Sequence, residues 1–195
     1  VKYFKNFSKI NNVYLLLGSI PITENDKLFN RSILINPDGD IISIYDKIHM
    51  FDITLKNGES YKESDFYSPG SELKITKVLG HSVGHTICYD LRYPKLYRAL
   101  AKKGSQIIVV PSAFTHTTGK AHWHSLIKAR AIENGVFILA PNQWGVNNEK
   151  RVTYGHTLIV DPWGETLAEA EDGEKIIAAE LDLNRVRDCQ NAIPV

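Results

Sequence analysis

The stretch "GHTICYDLRYPKL", residues 84–96, joins an apolar, β-branched run to a cysteine and, six residues on, to a proline suited to the first turn of a helix. A strand that yields so quickly to a helix is half of an α/β unit. The next residues supply the rest. From Pro94 to Gly104, Leu96, Tyr97, Leu100 and Ala101 form one apolar face and Gly104 suits the C-terminal cap. "QIIVVPSA" (106–113) then reads as a buried strand. "GKAHWHSLIKARAIENG" (119–135) places Trp123, Leu126, Ile127 and Ala131 at helical spacing before another glycine, and "VFILAPN" (136–142) is a further strand. Strand–helix–strand–helix–strand is the pattern of an α/β protein.

The flanks add hairpins, which predicts a mixed sheet. "VYLLLGSI" (13–20) is a strand-length apolar run closed by Gly18 and Pro21. "RSILINPDGDIISIYDKIHMFD" (31–52) reads as two strands around a Pro-Asp-Gly turn, with Leu34, Ile42 and Ile44 fitting the strand pattern and the second strand running out into Lys47. "LKNGESYKESDFYSPGS" (55–71) lacks periodicity and is expected to be a surface loop, while "LKITKVL" (73–79) and "SVGHTICY" (82–89) are a strand pair. Near the end, "YGHTLIVDPWGETLAEA" (154–170) predicts a hairpin, "EKIIAAELDL" (174–183) a strand, and Leu183–Asp188 a short helix. Residues 1–12, "VKYFKNFSKINN", resemble the tail of a helix and open without Met or a cap, as an interrupted beginning does. No repeat, low-complexity run or linker divides the chain, so residues 1–195 are expected to form one domain.

Charge narrows the function classes. Lys and Arg number 23 against 22 Asp and Glu, without a basic stripe, which argues against a nucleic-acid or membrane-surface partner. No apolar run approaches the roughly 20 residues that span a bilayer, and nothing at the start resembles a signal peptide. Two cysteines, Cys88 and Cys189, imply no disulfide framework, and the expected location is the cytoplasm.

Cys88 has two readings. A cysteine at a strand-to-helix corner projects from the sheet edge as the serine of a nucleophile elbow does. The following helix would favour the thiolate, and the N–H of Tyr89 would be free to bind an oxyanion. Against this, lone cysteines commonly pack as small core residues. Lys47 is similarly open. At the end of an apolar strand, with Ile44, Ile48 and Phe51 to desolvate it, it is a fixed positive charge for a thiolate or oxyanion, or else a strand-end lysine reaching solvent. Among the seven histidines, His122 and His124 fall on nearly opposite faces of one helix and cannot share a metal. His85 falls on the opposite strand face from Cys88, His156 reads as a packed, hydrogen-bonded histidine, and no spacing supports a Cys–His protease.

Taken in order, "LLGSIP", "ILINPDGDIISIYDKIHMFD", "YKESDFYSPG", "GHTICYDLRYPKLYRALAKKG", "VVPSAF", "TGKAHWHSLIKARAIENGVFILAPNQ" and "YGHTLIVDPWGE" resemble the nitrilase superfamily of carbon–nitrogen hydrolases over nearly the whole chain. The resemblance implies an α-β-β-α sandwich with mixed sheets and a Glu–Lys–Cys catalytic set, with neither cofactor nor metal. Cys88 matches the nucleophile, Lys47 the catalytic lysine, and Glu63 the second glutamate that many members place beside the lysine. It implies a thioester mechanism on a small amide substrate, with ammonia released and the oxyanion held by Lys47 and the Tyr89 N–H. Asp90 and Arg92 are expected to brace the elbow. Phe114, Gln143 and Trp144 follow strand ends, where sheet-edge ligands bind, and are candidate pocket residues. The closest branch resembles amidases of deaminated glutathione or of ω-amides of 2-oxo acids. Members associate, so a homo-oligomer is expected, with "CQNAIPV" (189–195) reaching a neighbouring chain. The family's first glutamate belongs on a strand before "YLLLGSIP", so the first strands, a helix and that base are expected to lie before residue 1. The alternative is an inactive remnant kept as an assembly or binding subunit.

Overall fold

The computed structural model describes residues 1–56, 58–148 and 151–194. Helix α1 (Lys2–Asn11) leads into an antiparallel sheet of β1 (Leu15–Glu24), β2 (Lys27–Ile35) and β3 (Ile41–Asp46), paired in that order. A short hairpin follows, β4 (Asp52–Thr54) with β5 (Ser60–Lys62), ending in a 3-10 turn over Glu63–Asp65. Then come β6 (Ile75–Val78), β7 (His81–His85), a 3-10 turn over Cys88–Arg92, α2 (Pro94–Lys102), β8 (Ile107–Val109), α3 (His116–Asn134) and β9 (Phe137–Ala140). A second hairpin, β10 (Trp144–Asn148) with β11 (Arg151–Tyr154), precedes β12 (Thr157–Val160), β13 (Thr166–Ala170) and α4 (Asn184–Ala192).

The larger sheet runs β13-β12-β9-β8-β7-β6, parallel across β7, β8 and β9 and antiparallel outside them. Its parallel centre is the strand–helix–strand–helix–strand unit expected from residues 84–142. Ile108 and Ile138 are fully buried there against Leu100, Trp123, Ile127 and Ala131 of the two helices. The helices bury the faces their periodicity predicts and end in left-handed Gly104 and Gly135. On the other side of the larger sheet lies the three-stranded sheet. Thr76 Oγ1 donates to Ser43 Oγ at 2.6 Å across the gap, and the Tyr45 and His85 rings lie 6.5 Å apart. Gly18 of β1 approaches Pro111 so closely that a Cβ there would sit 2.5 Å from the proline ring. Helix α1 covers β2 from outside, with the buried Ser8 hydroxyl donating to Asn36 O at 2.9 Å. The layers are therefore helix, sheet, sheet, helix. Gly39, at φ +83° in the Pro-Asp-Gly turn, also lies against α1, where a Cβ would meet Lys5 O at 2.9 Å.

Several expectations change. β1 continues through Pro21 to Glu24, with a register shift between Leu17 and Ile20; as an edge strand it tolerates a residue without an N–H. The presumed loop 55–71 contains β5 and a 3-10 turn, because Ile53 and Tyr61 pair across a short ladder that periodicity is too brief to reveal. α3 starts three residues before the predicted Gly119, over His116–Thr118, which carries no apolar repeat. "EKIIAAELDL" forms no strand: residues 174–182 pair with no neighbour and Ile176 is 100% exposed. The β10–β11 hairpin was not expected at all. The C-terminal residues Cys189 and Gln190 belong to α4, which folds back on the same chain, with Gln190 Nε2 donating to Asn134 O at 3.2 Å.

The orientation of β3 is the largest correction. Ile44, placed by pattern beside Lys47, is 40% exposed, while Ser43, Tyr45 and Lys47 point inward between the sheets. Alternation shows that a strand has two different faces. It does not show which one is turned inward.

Candidate active site

Cys88 stands where the strand direction of β7 ends. Past His85 the backbone still follows its neighbour, with Thr86 N–H donating to Val109 O at 3.1 Å and Cys88 N–H to Pro111 O at 3.0 Å. At Cys88 φ swings to +46°, left-handed backbone that few residues other than glycine adopt. That kink turns the half-buried cysteine out of the ladder and starts the 3-10 turn that delivers Pro94 to α2. A strained non-glycine residue at a strand-to-helix corner is the geometry of a nucleophile elbow.

Asp90 holds the corner. Its fully buried carboxylate accepts Ile87 N–H at 2.9 Å and Tyr45 O–H at 2.7 Å on one oxygen, and His49 N–H at 3.1 Å and His49 Nδ1 at 2.7 Å on the other. The elbow in the larger sheet is thus fastened to β3 and the segment after it. Burial beside Asp90 pushes the Tyr45 phenol far above its usual range, so it remains a donor. Arg92 lies over the Phe114 ring at 5.3 Å and the Tyr89 ring at 6.0 Å, with Nη2 3.3 Å from His122 Nδ1. Both residues expected to brace the elbow touch it or its neighbours.

Lys47 follows β3 and is only 2% exposed. Its N–H donates to Asn30 O at 2.9 Å and its carbonyl accepts from Gly70 N–H at 2.8 Å, which fixes the backbone from both sides. Its ammonium donates to Glu63 Oε2. The same Glu63 oxygen accepts Phe51 N–H at 2.7 Å, and the other accepts Asn30 Nδ2 at 2.9 Å. Three donors occupy Glu63, so it neutralises and aims the lysine. The 3-10 turn missing from the sequence reading is what carries it there.

Cys88, Lys47, Glu63, Tyr89, Phe114 and Gln143 line one cleft of about 500 Å³, a volume suited to a small ligand. Among the described residues the Tyr89 N–H meets no backbone acceptor. Phe114 is seated by its own N–H to Asn142 Oδ1 at 2.9 Å, and Asn142 Nδ2 reaches Gly155 O at 2.6 Å. Trp144 is the exception. It begins β10, is 47% exposed, donates to Asp172 Oδ1 at 3.2 Å, and borders two outer depressions rather than the cleft. The hairpin that begins at residue 144 turns it away from Gln143. No histidine is among the described residues of the cleft; His85 is held by Thr76 Oγ1 at 3.2 Å, and burial lowers its pKa to about 4.

Arg151, on β11, was missed by the sequence reading and lines the same cleft. Its Nη2 donates to Ala113 O at 3.1 Å, while its buried Nε meets no acceptor among the described residues. Only the hairpin brings it there, and one arginine in a polar stretch gives no sequence signal.

With elbow, lysine and glutamate around one cleft between two sheets, the comparisons with known proteins agree in direction. The carbon-nitrogen hydrolase family profile matches residues 1–191, and the chain belongs to that family. It is 38% identical to a deaminated glutathione amidase of Dictyostelium discoideum, covering 100% of this chain and 69% of the relative. It is also 38% identical to the omega-amidase NIT2 of Xenopus tropicalis, covering 94% of this chain and 66% of the relative. The crystal structure of Saccharomyces cerevisiae Nit3, described as a member of branch 10 of the nitrilase superfamily, superposes with a TM-score of 0.89 at 34% identity, over 99% of this chain and 68% of that one. The fold is that of the nitrilase superfamily. The chain spans about two thirds of the length of each of these relatives.

Proposed function

We propose that residues 1–195 form the larger part of one carbon–nitrogen hydrolase domain that cleaves the amide of a small carboxylic acid through a thioester on Cys88. The observation that carries this reading is the convergence of an elbow cysteine with a buried Lys47–Glu63 pair on one cleft. The Cys88 thiolate adds to the amide carbonyl, and the tetrahedral oxyanion is stabilised by the Lys47 ammonium and the Tyr89 N–H. Collapse with protonation of the nitrogen expels ammonia and leaves the thioester; water then adds, returning the thiol and the free acid. Glu63 is the one carboxylate among the described residues of the cleft, and its oxygens serve Lys47, Phe51 and Asn30. The proton from Cys88 therefore goes to another carboxylate, which the family resemblance puts ahead of β1.

Arg151 supports a substrate with its own carboxylate, since it lines the cleft and its Nε meets no acceptor among the described residues. Both deaminated glutathione and the ω-amide of a 2-oxo dicarboxylic acid carry one, and the relatives' names favour these two. The same reading has the protein acting in the cytoplasm as a homo-oligomer, dimer or larger, with no cofactor and with neither nucleic acid nor membrane as partner. No helix among the described residues is long and apolar enough to cross a membrane.

Ammonia release from both amides tests the reading, with an acyl adduct on Cys88 sought by intact-mass measurement. Cys88→Ala is expected to abolish both signals, and Arg151→Gln to raise KM about tenfold or more with a smaller change in kcat. An acyl adduct in the absence of turnover would favour the binding-subunit alternative. Turnover unchanged in Cys88→Ala would refute the mechanism.

A further inference from the structure

Helix α3 carries His124 toward the edge of the larger sheet, where His156 precedes β12 and Glu169 lies on β13. His124 Nε2 is 2.9 Å and His156 Nδ1 2.6 Å from the same Glu169 Oε1. One ligand atom from each of the three residues lies within 4.8 Å of the others. None of the three lines the Cys88 cleft.

We propose that His124 Nε2, His156 Nδ1 and the Glu169 carboxylate bind one divalent transition-metal ion of the zinc, cobalt or nickel class, clamping α3 to the β12–β13 edge. Two imidazoles and one carboxylate are a donor set such ions prefer over calcium or magnesium. Tetrahedral bonds of about 2.0–2.1 Å need donor atoms roughly 3.3 Å apart, so the two contacts to Glu169 have to open by about half an ångström, while the two imidazole nitrogens already lie within 4.8 Å of each other. The rings are already oriented: Tyr154 stacks on His156 at 4.4 Å and meets His124 edge-on at 6.0 Å. Trp123 Nε1 donates to His156 O at 2.7 Å and anchors the main chain behind the ring.

The protons also have somewhere to go. To coordinate, His156 must carry its N–H on Nε2; Asp172 Oδ1, which accepts Trp144 Nε1, lies 3.8 Å from that nitrogen and has to close by roughly 0.8 Å to accept it. A carboxylate behind a ligating histidine is the usual outer partner of such sites. The side chains keep 35%, 22% and 29% of their surface for His124, His156 and Glu169, enough for a hydrated ion to enter and for water to fill the fourth position. His122, two residues from His124, faces Arg92 and takes no part.

Equilibrium dialysis of the metal-stripped chain against Zn²⁺, in a Cys88→Ala background that removes a competing thiolate, is expected to show one high-affinity ion per chain. Co²⁺ should give the visible absorption of a four-coordinate site. His124→Ala and Glu169→Gln should each weaken binding about 100-fold or more, and Asp172→Asn about tenfold. His124→Gln and His156→Asn are measured alongside, since glutamine keeps a donor to Glu169 and asparagine tolerates the left-handed backbone of His156 at φ +55°. The wild-type melting temperature should rise with Zn²⁺ concentration and that of Glu169→Gln should not. No stoichiometric binding by the parent chain, or one ion retained in the His124 and Glu169 variants, would overturn the proposal.

Discussion

The two faces of the larger sheet bury opposite chemistry. Against α2 and α3 the burial is aliphatic and aromatic: Ile108, Ile138, Leu100, Trp123 and Ile127. Toward the three-stranded sheet, the buried groups include Ser43, Tyr45, Lys47, His85 and Asp90. The helix-covered face supplies a rigid platform, and the inter-sheet face is where polar groups are placed and mostly partnered, the buried Ser32 hydroxyl and Arg151 Nε being exceptions. Such groups are tolerated there because almost every donor finds an acceptor, as around Asp90 and Glu63. Removing a group should therefore have different consequences on the two faces.

Lys47→Met tests the polar face most severely. It strands the Glu63 carboxylate and removes a cation from the cleft that Cys88 lines. A loss of about 3–5 kcal/mol of stability is expected in denaturant titration, with amide turnover down by about 10²–10³ or more. Ile138→Ala tests the platform: about 2–5 kcal/mol should be lost to the cavity, while KM of the remaining folded enzyme should hardly move. Equal effects of both variants on turnover would erase the contrast.

His85 gives a pH signature confined to the polar face. Its folded pKa of about 4 lies below the ordinary value of 6.5 because burial penalises the imidazolium. Above pH 6.5 neither state is protonated and stability is complete. As pH falls from 6.5 toward 4, the unfolded chain takes up a proton that the folded chain refuses, so stability declines, by about 3 kcal/mol at most. His85→Gln should flatten the unfolding free energy over that window, measured by urea titration at stepped pH. The smallest effect is expected from Ile44→Ser. Despite its aliphatic side chain Ile44 is outward on β3, and a change of about 1 kcal/mol or less would confirm that orientation in a thermal melt.

Much of the platform was legible because its signals are local. Pro94, Gly104 and the spacing of Leu96, Tyr97 and Leu100 define α2 without reference to anything distant. Trp123, Ile127 and Ala131 do the same for α3. Cys88, Lys47 and Glu63 were legible by ordered resemblance, and the structure brings all three to one cleft. Trp144 was misplaced because adjacency in sequence was taken for adjacency in space: it follows Gln143, yet a hairpin turns it outward. The strand expected at 174–183 rested on the apolar run Ile176–Ala179, yet residues 174–182 join no sheet.

By itself, then, the sequence determined where the strands and helices of the 84–142 unit run, that their order makes an α/β protein, and which cysteine sits at a strand-to-helix corner. Tertiary structure decided that β3 turns Ser43, Tyr45 and Lys47 inward, that Arg151 enters the cleft, and that His124, His156 and Glu169 meet. Periodicity is a property of neighbours along the chain, set by backbone geometry. Which face is buried, and which distant side chains share a few ångströms, depends on the partners that sheet pairing and packing bring.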